Sequence, residues 1–244
     1  MDKYKNFIGI TEVSDPCFHL DIFDRLYAAN IIITKRLTTK LINKLVEHKD
    51  KCILHITCTG LGGSKLEPLV PTKEETFTKF NELINKGFPV KQVVLRLDPI
   101  VATDKGFNNA LEVYRLFKDS GIERIRYSFL DMYNHVKERF NQFGIPLPHE
   151  TFHAPKSLRI RYMNELKKEI GDMNIELEAC GEPNIPSTGC VSQKDIDILG
   201  LSEVVKLNGN SSQRTECKCA GNKKQLIKNK PGRCLNNCVY CFWR

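Results

Sequence analysis

The residues that most plainly promise chemistry are the last eleven, which contain Cys234, Cys238 and Cys241 in a CxxxCxxC spacing. Three thiolates on one short loop can bind three irons of a 4Fe–4S cube and leave the fourth iron open to a small molecule. A closed structural zinc site takes four protein ligands, and this stretch supplies three with no histidine nearby. Four further cysteines lie upstream: Cys180, Cys190 and the CxC pair Cys217 and Cys219. Four thiolates form a complete ligand set for an auxiliary 4Fe–4S cluster or a zinc ion. Cys17, Cys52 and Cys58 are scattered. They read as core thiols, because free cysteine packs as a small hydrophobe.

The terminal spacing, with aromatic Tyr240 just before the third cysteine, resembles the signature of the radical-SAM superfamily. In most of that superfamily the motif follows the first strand; here it comes last. That placement is similar to a smaller group, distantly related to spore photoproduct lyase-like proteins, that carries the motif at its C-terminus. Further similarities to that group are Arg96-Leu-Asp98-Pro99-Ile100, Tyr127–Tyr133, Glu178-Ala-Cys180, and Gln213-Arg214 before Cys217-Lys-Cys219. The resemblance runs from about Phe7 to the end of the chain. It implies that the open iron takes the amino and carboxylate groups of S-adenosylmethionine. One electron, from a donor such as flavodoxin or ferredoxin, then gives a 5′-deoxyadenosyl radical that abstracts hydrogen from a substrate. Tyr240 would lie near the adenine.

These groups need a scaffold. Candidate strands are Asn6–Thr11, Asn30–Thr34, Cys52–Thr59, Gln92–Asp98, Arg124–Leu130, Asn174–Cys180 and Glu203–Leu207. Helical periodicity marks His19–Ala28, Thr38–His48, Lys73–Lys86, Lys105–Asp119, Glu150–Ile170 and Ser192–Leu199. Thr72 before Lys73-Glu74-Glu75 reads as a capping box, and Ser192 with Asp195 as a weaker one. Strand–helix alternation calls for parallel strands with crossover helices. The expected fold is α/β: a partial or complete (β/α) barrel of TIM type over 1–207, with a cysteine-rich cluster-binding segment over 208–244 packed on its mouth. An open doubly wound sheet is the alternative. No GxGxxG follows the first strand and no GxxxxGK[ST] occurs, so neither a dinucleotide nor a P-loop site is expected.

In such a barrel the C-terminal strand ends line the active site. The polar groups there are Thr11, Glu12, Thr34, Lys35, Arg36, Thr57, Thr59, Arg96, Asp98, Ser128, Asp131 and Glu182. Arg96, Asp98 and Ser128 are the chosen candidates for S-adenosylmethionine, since Arg suits its carboxylate and Asp its ammonium and ribose. A plain Arg–Asp salt bridge is the rival reading. The loop Gly60-Leu-Gly-Gly63-Ser64 either lets backbone approach a ligand or simply turns before Pro68. His55, within a strand, reads as a packed core histidine.

The net charge of +8 sits wholly in residues 206–244, where nine basic side chains face one acid, Glu216. Such a patch suits a nucleic acid or nucleotide, or else offsets an anionic cluster. Peptide or small-metabolite modification is the enzyme alternative, and a zinc-stapled basic binding module the non-enzyme one. No apolar run approaches the roughly 20 residues that span a bilayer. Behind Met1-Asp2-Lys3-Tyr4-Lys5 there is no apolar stretch of the secretory type, so a cytoplasmic protein without membrane contact is expected.

Overall fold

The computed structural model describes residues 6–211, 216–228 and 234–243. Met1, Asp2, Lys3, Tyr4, Lys5, Gln213 and Arg214, named above, lie outside the described residues, as do Lys230, Arg233 and Arg244 of the basic tail.

Seven strands form one parallel sheet: β1 (Ile8–Ile10), β2 (Ala29–Thr34), β3 (Cys52–Thr57), β4 (Val93–Ile100), β5 (Arg124–Phe129), β6 (Glu176–Ala179) and β7 (Lys223–Gln225). Their order is β6-β5-β4-β3-β2-β1-β7. The first six pair with their sequence neighbours in turn, and β7 joins beside β1. The helices are α1 (Thr39–Glu47), α2 (Lys73–Asn85), α3 (Asp104–Phe117), α4 (Asn134–Gln142), α5 (Lys156–Ile170) and α6 (Gln193–Ile198). Stepping one way with right-handed crossovers places successive helices on one face of a sheet. Accordingly Ile32, Leu54 and Leu95 pack with Leu41, Phe80 and Val113 from α1, α2 and α3.

The opposite face alternates with this one. There Ile10, Ile31, Ile53 and Val94 meet Ile196 of α6 and Val205. It also carries a row of polar groups in register: Thr57 beside Arg96, Arg96 beside Arg126, and Arg126 beside Glu178. Buried guanidiniums survive there because each has a carboxylate, Arg126 on Glu178 at 2.5 Å and Arg124 on Asp195 at 2.8 Å.

Four elements differ from the sequence reading. Glu203–Leu207 forms no strand, because only Val205 of its apolar pair is buried while Val204 stays half exposed. The seventh strand is instead the polar Lys223–Gln225, held by pairing to β1, so part of the cysteine-rich segment belongs to the sheet itself. His19–Ala28 is not an α-helix but holds a 3-10 turn, Leu20–Arg25. α4 was not predicted; just Val136 and Phe140 of its nine residues are buried, too thin a stripe to read. The capping box at Thr72 forms, with Glu75 N–H donating to Thr72 and Thr72 N–H to Glu75. At the start of α6 the Ser192 N–H and hydroxyl both donate to Asp195 at 2.8 Å.

The glycine-rich loop approaches its own chain, not the cavity described below. A Cβ on Gly62 would sit 1.9 Å from the Pro71 carbonyl oxygen. Gly63 N–H donates to the Glu67 carbonyl at 3.0 Å, so the turn fixes Glu67. Gly62→Ala is expected to cost about 1–3 kcal/mol, the scale of overpacking against backbone, seen as a lower urea midpoint at unchanged m-value.

Candidate functional site

One cavity of about 330 Å³ opens beyond the carboxyl ends of the strands, where ligands of parallel sheets bind. Thr11, Thr34, Thr57, Asp98, Ser128 and Cys180 line it, one from or just beyond each of β1 to β6. All seven cysteines of the two constellations line it as well.

Cys234, Cys238 and Cys241 lie on a short loop without regular structure, so its shape comes from side chains that grip it. Asp15, buried after β1, accepts from Asn236 Nδ2 at 2.8 Å, Thr34 Oγ1 at 2.7 Å and Lys35 N–H at 2.8 Å. Glu67, 1% exposed, accepts from the Tyr240 hydroxyl, from Lys35 Nζ at 2.7 Å and from Thr59 Oγ1 at 2.7 Å. Arg139 of α4 donates to the Val239 carbonyl at 2.8 Å and to that of Cys241. Val239 N–H donates to the Leu66 carbonyl at 2.9 Å. Burial opposes the Lys35 charge, but Glu67 and the Cys238 sulfur hold its pKa above the ordinary lysine value. Burial pushes the Cys238 thiol up to about 12, with Lys35 opposing. Deprotonation at this loop therefore calls for a positive partner, which is what a metal centre provides.

Residues 25–243 match the family model described as a domain of unknown function, DUF1848. The chain belongs to the DUF1848 family. No curated protein matches this DUF1848 chain. Among solved structures it is similar to a mutant of the Thermobaculum terrenum O-GlcNAc hydrolase, at 16% identity and a TM-score of 0.31. That match covers 84% of this chain, which spans 39% of the hydrolase chain.

The second set of cysteines in this DUF1848 chain is also drawn together. Cys180 and Cys190 sulfurs lie 3.5 Å apart, and Cys190 N–H donates to Cys219 Sγ at 3.1 Å. Cys217 Sγ is 3.3 Å from Ser211 Oγ. Hydrogen bonds from Cys180 and Cys219 pull Cys190 well below the usual thiol value, and one from Cys219 brings Cys217 down to about 5. Cys180 and Cys219, the partners in these bonds, are pushed up. The shared hydrogen bonds draw these thiols to one point, and a metal there would bind them as thiolates.

Arg96 pairs with Asp98, two residues on along β4, and Ser128 Oγ donates to Asp98 at 2.5 Å. The Arg–Asp salt bridge of the rival reading forms, within one strand, and all three groups still face the cavity. Tyr240 lines the cavity too, but its hydroxyl is tied to Glu67 and Lys35. Glu182 turns to Phe129 N–H at 2.7 Å and to Arg159 at 3.2 Å, and burial raises its pKa to about 7. His55 is fully buried on the inner face, and burial holds its pKa well below the usual value. Cys52 and Cys58 are buried as expected; burial raises their pKa values to about 12 and about 11. Cys17 is half-buried beside Asp15 and near enough to Cys234 to feel its charge.

Asp15, Glu67 and Arg139 are the structural partners that sequence reading missed. Asp15 could have been found, since it follows a strand end. Glu67 and Arg139 carry no local signal, because a loop carboxylate and a helix arginine look solvated until the partner is known.

Proposed function

We propose that this chain is a radical-SAM enzyme in which Cys234, Cys238 and Cys241 hold a 4Fe–4S cluster with one iron open to S-adenosylmethionine. The observation that carries this reading is the placement of all three thiols on the wall of the cavity beyond the parallel strand ends. The donor set fits the group: three thiols from one loop, gripped from behind by Asp15, Glu67 and Arg139. When bound, the cluster supplies the electron that splits the sulfonium of S-adenosylmethionine for hydrogen abstraction from a substrate. The chain's own groups bind and orient. Arg96 offers a guanidinium to the carboxylate, and Asp98, fixed by Arg96 and Ser128, accepts from ammonium or ribose. Lys35 offsets thiolate charge beside Cys238.

The strand order supports a partial barrel, with the cysteine-rich segment closing its mouth. Cys180, Cys190, Cys217 and Cys219 hold a metal or an auxiliary cluster. A flavodoxin- or ferredoxin-type donor in the cytoplasm supplies the electron. No helix among the described residues is long and apolar enough to cross a membrane. Anaerobic reconstitution with iron and sulfide, followed by assay for 5′-deoxyadenosine, tests the reading. A protein that binds only colourless metal and leaves S-adenosylmethionine intact would replace it with a zinc-stapled binding module.

A nucleic-acid base is the proposed substrate class. An aromatic rim supports it: Phe242, nearly half exposed, lies 4.7 Å from Tyr133 between ring centroids, and both line the cavity with Trp243. Exposed rings of this kind stack bases. The basic patch is smaller than the sequence suggested, because Lys223 turns inward to Glu12 at 2.9 Å. Lys224 and Lys228 remain as described candidates for phosphate. Neutralising both is expected to flatten the dependence of log K on log salt for single-stranded nucleic acid by about 1.4. An unchanged slope, or no salt-sensitive binding by the unaltered protein, favours a peptide or small metabolite.

A further inference from the structure

The second cysteine set carries an oxygen donor that its spacing in the sequence does not reveal. The Glu12 carboxylate, Cys190 Sγ and Cys219 Sγ all lie within 4.8 Å of one another. Cys180 Sγ lies 3.5 Å from Cys190 Sγ. A tetrahedral ion with metal–sulfur bonds of about 2.3 Å sets its donors roughly 3.8 Å apart. A 4Fe–4S cube holds each thiolate on a separate iron and spreads the sulfurs more widely. The spacing among Glu12, Cys190 and Cys219, and between Cys180 and Cys190, therefore matches one ion better than a cube.

We infer that this site takes a single thiophilic divalent ion of the zinc type, with Glu12 as its oxygen ligand beside Cys180, Cys190 and Cys219. The inference rests on the reading of the second set as a metal site and is independent of the terminal cluster.

The fold presents Glu12 to the thiols. It follows β1, and β7 lies parallel beside β1, so Lys223 and Gln225 reach it from the neighbouring strand. Gln225 Oε1 accepts from Glu12 N–H at 3.2 Å, and Gln225 Nε2 donates to Glu12 Oε2 at 2.7 Å. Lys223 Nζ lies 2.9 and 3.0 Å from the two carboxylate oxygens. Ligating carboxylates are commonly held by such outer hydrogen bonds. Cys219 is four residues before Lys223, so one short segment delivers both a thiol and the group that orients the carboxylate. Three sulfurs and one oxygen suit zinc, because thiolates select soft or borderline ions over magnesium or calcium.

The test is a Co²⁺ titration of metal-free protein carrying Cys234→Ala, Cys238→Ala and Cys241→Ala, which removes the terminal loop's ligands. The expected result is thiolate-to-cobalt absorption saturating near one equivalent and abolished by Zn²⁺. Glu12→Gln should weaken Co²⁺ at least about tenfold, the scale of losing even an outer partner of a ligand. Glu12→Asp, which keeps a carboxylate, should recover part of the loss and shows that the site still folds. Lys223→Met should weaken Co²⁺ less than Glu12→Gln does, because the carboxylate itself remains and Gln225 still holds it. If Lys223→Met weakens Co²⁺ as much as Glu12→Gln, Glu12 is only a salt-bridge partner and the inference fails. Equal affinity in Glu12→Gln leaves a cysteine-only site. No Co²⁺ binding at all removes the metal-site reading itself, and a second cluster of about four irons on reconstitution removes the single ion.

Discussion

The Cys238→Ala protein is expected to form no 5′-deoxyadenosine from S-adenosylmethionine above background, and Cys234→Ala and Cys241→Ala are expected to behave alike. A cube bound by three thiolates has no spare protein ligand at this loop, so losing one leaves two irons exposed where one is needed. Cys238 is the informative position. It is the most buried of the three, and its sulfur lies close enough to Lys35 for each to shift the other's pKa. Cys52→Ala is the matched control. Cys52 packs in the core on β3, away from the cavity lining, so its loss trims packing and leaves the reaction intact. A Cys238→Ala protein that still makes 5′-deoxyadenosine at the unaltered rate would remove the radical-SAM assignment. Loss in Cys52→Ala as well would point to a general folding defect.

The sheet was legible where strands are apolar. β2 to β4 carry alternating or continuous Ile, Val and Leu, β5 alternates Ile125, Tyr127 and Phe129 with polar residues, and the positions of all four agree with the sequence reading to within a few residues. β7 was not legible, because Lys223-Lys-Gln225 gives no hydrophobic period; its place is set by backbone pairing to β1 and by Glu12. The same limit applies to the site. Cysteines announce themselves by type and count, so both sets were visible, and strand-end polarity found Arg96, Asp98 and Ser128. Glu12 was named as a strand-end residue, yet its approach to Cys190 and Cys219 depends on three segments far apart in sequence meeting at one point. Glu67 was invisible for a related reason: a carboxylate is worth burying only when cations and hydroxyls converge on it, and convergence is not local.

Glu67→Ala is expected to destabilise the protein by about 3–5 kcal/mol and to loosen the terminal cysteine loop. Three donors from three places point at this one carboxylate: Lys35 at the end of β2, Thr59 beyond β3, and Tyr240 between two of the cysteines. Removing it leaves the Lys35 ammonium, 17% exposed, without its counter-ion and the Tyr240 hydroxyl without its acceptor. Glu67→Gln keeps the shape and an accepting oxygen, so a smaller loss is expected. Urea midpoints measure the stability. Iron retained after gel filtration of reconstituted protein measures the loop, since a Tyr240 that swings free carries Cys238 and Cys241 with it. The ion pair also sets a pH signature. The folded-state pKa of Lys35 is raised, so the pair's contribution is fully present below the ordinary value of 10.5 and is lost as pH rises through the higher folded value. The difference in stability between the unaltered protein and Glu67→Ala should therefore hold steady from neutral pH to 10.5 and shrink only above it. Full iron retention in Glu67→Ala would show that Asp15 and Arg139 suffice to hold the loop, and would reduce Glu67 to a stabiliser of the lysine alone.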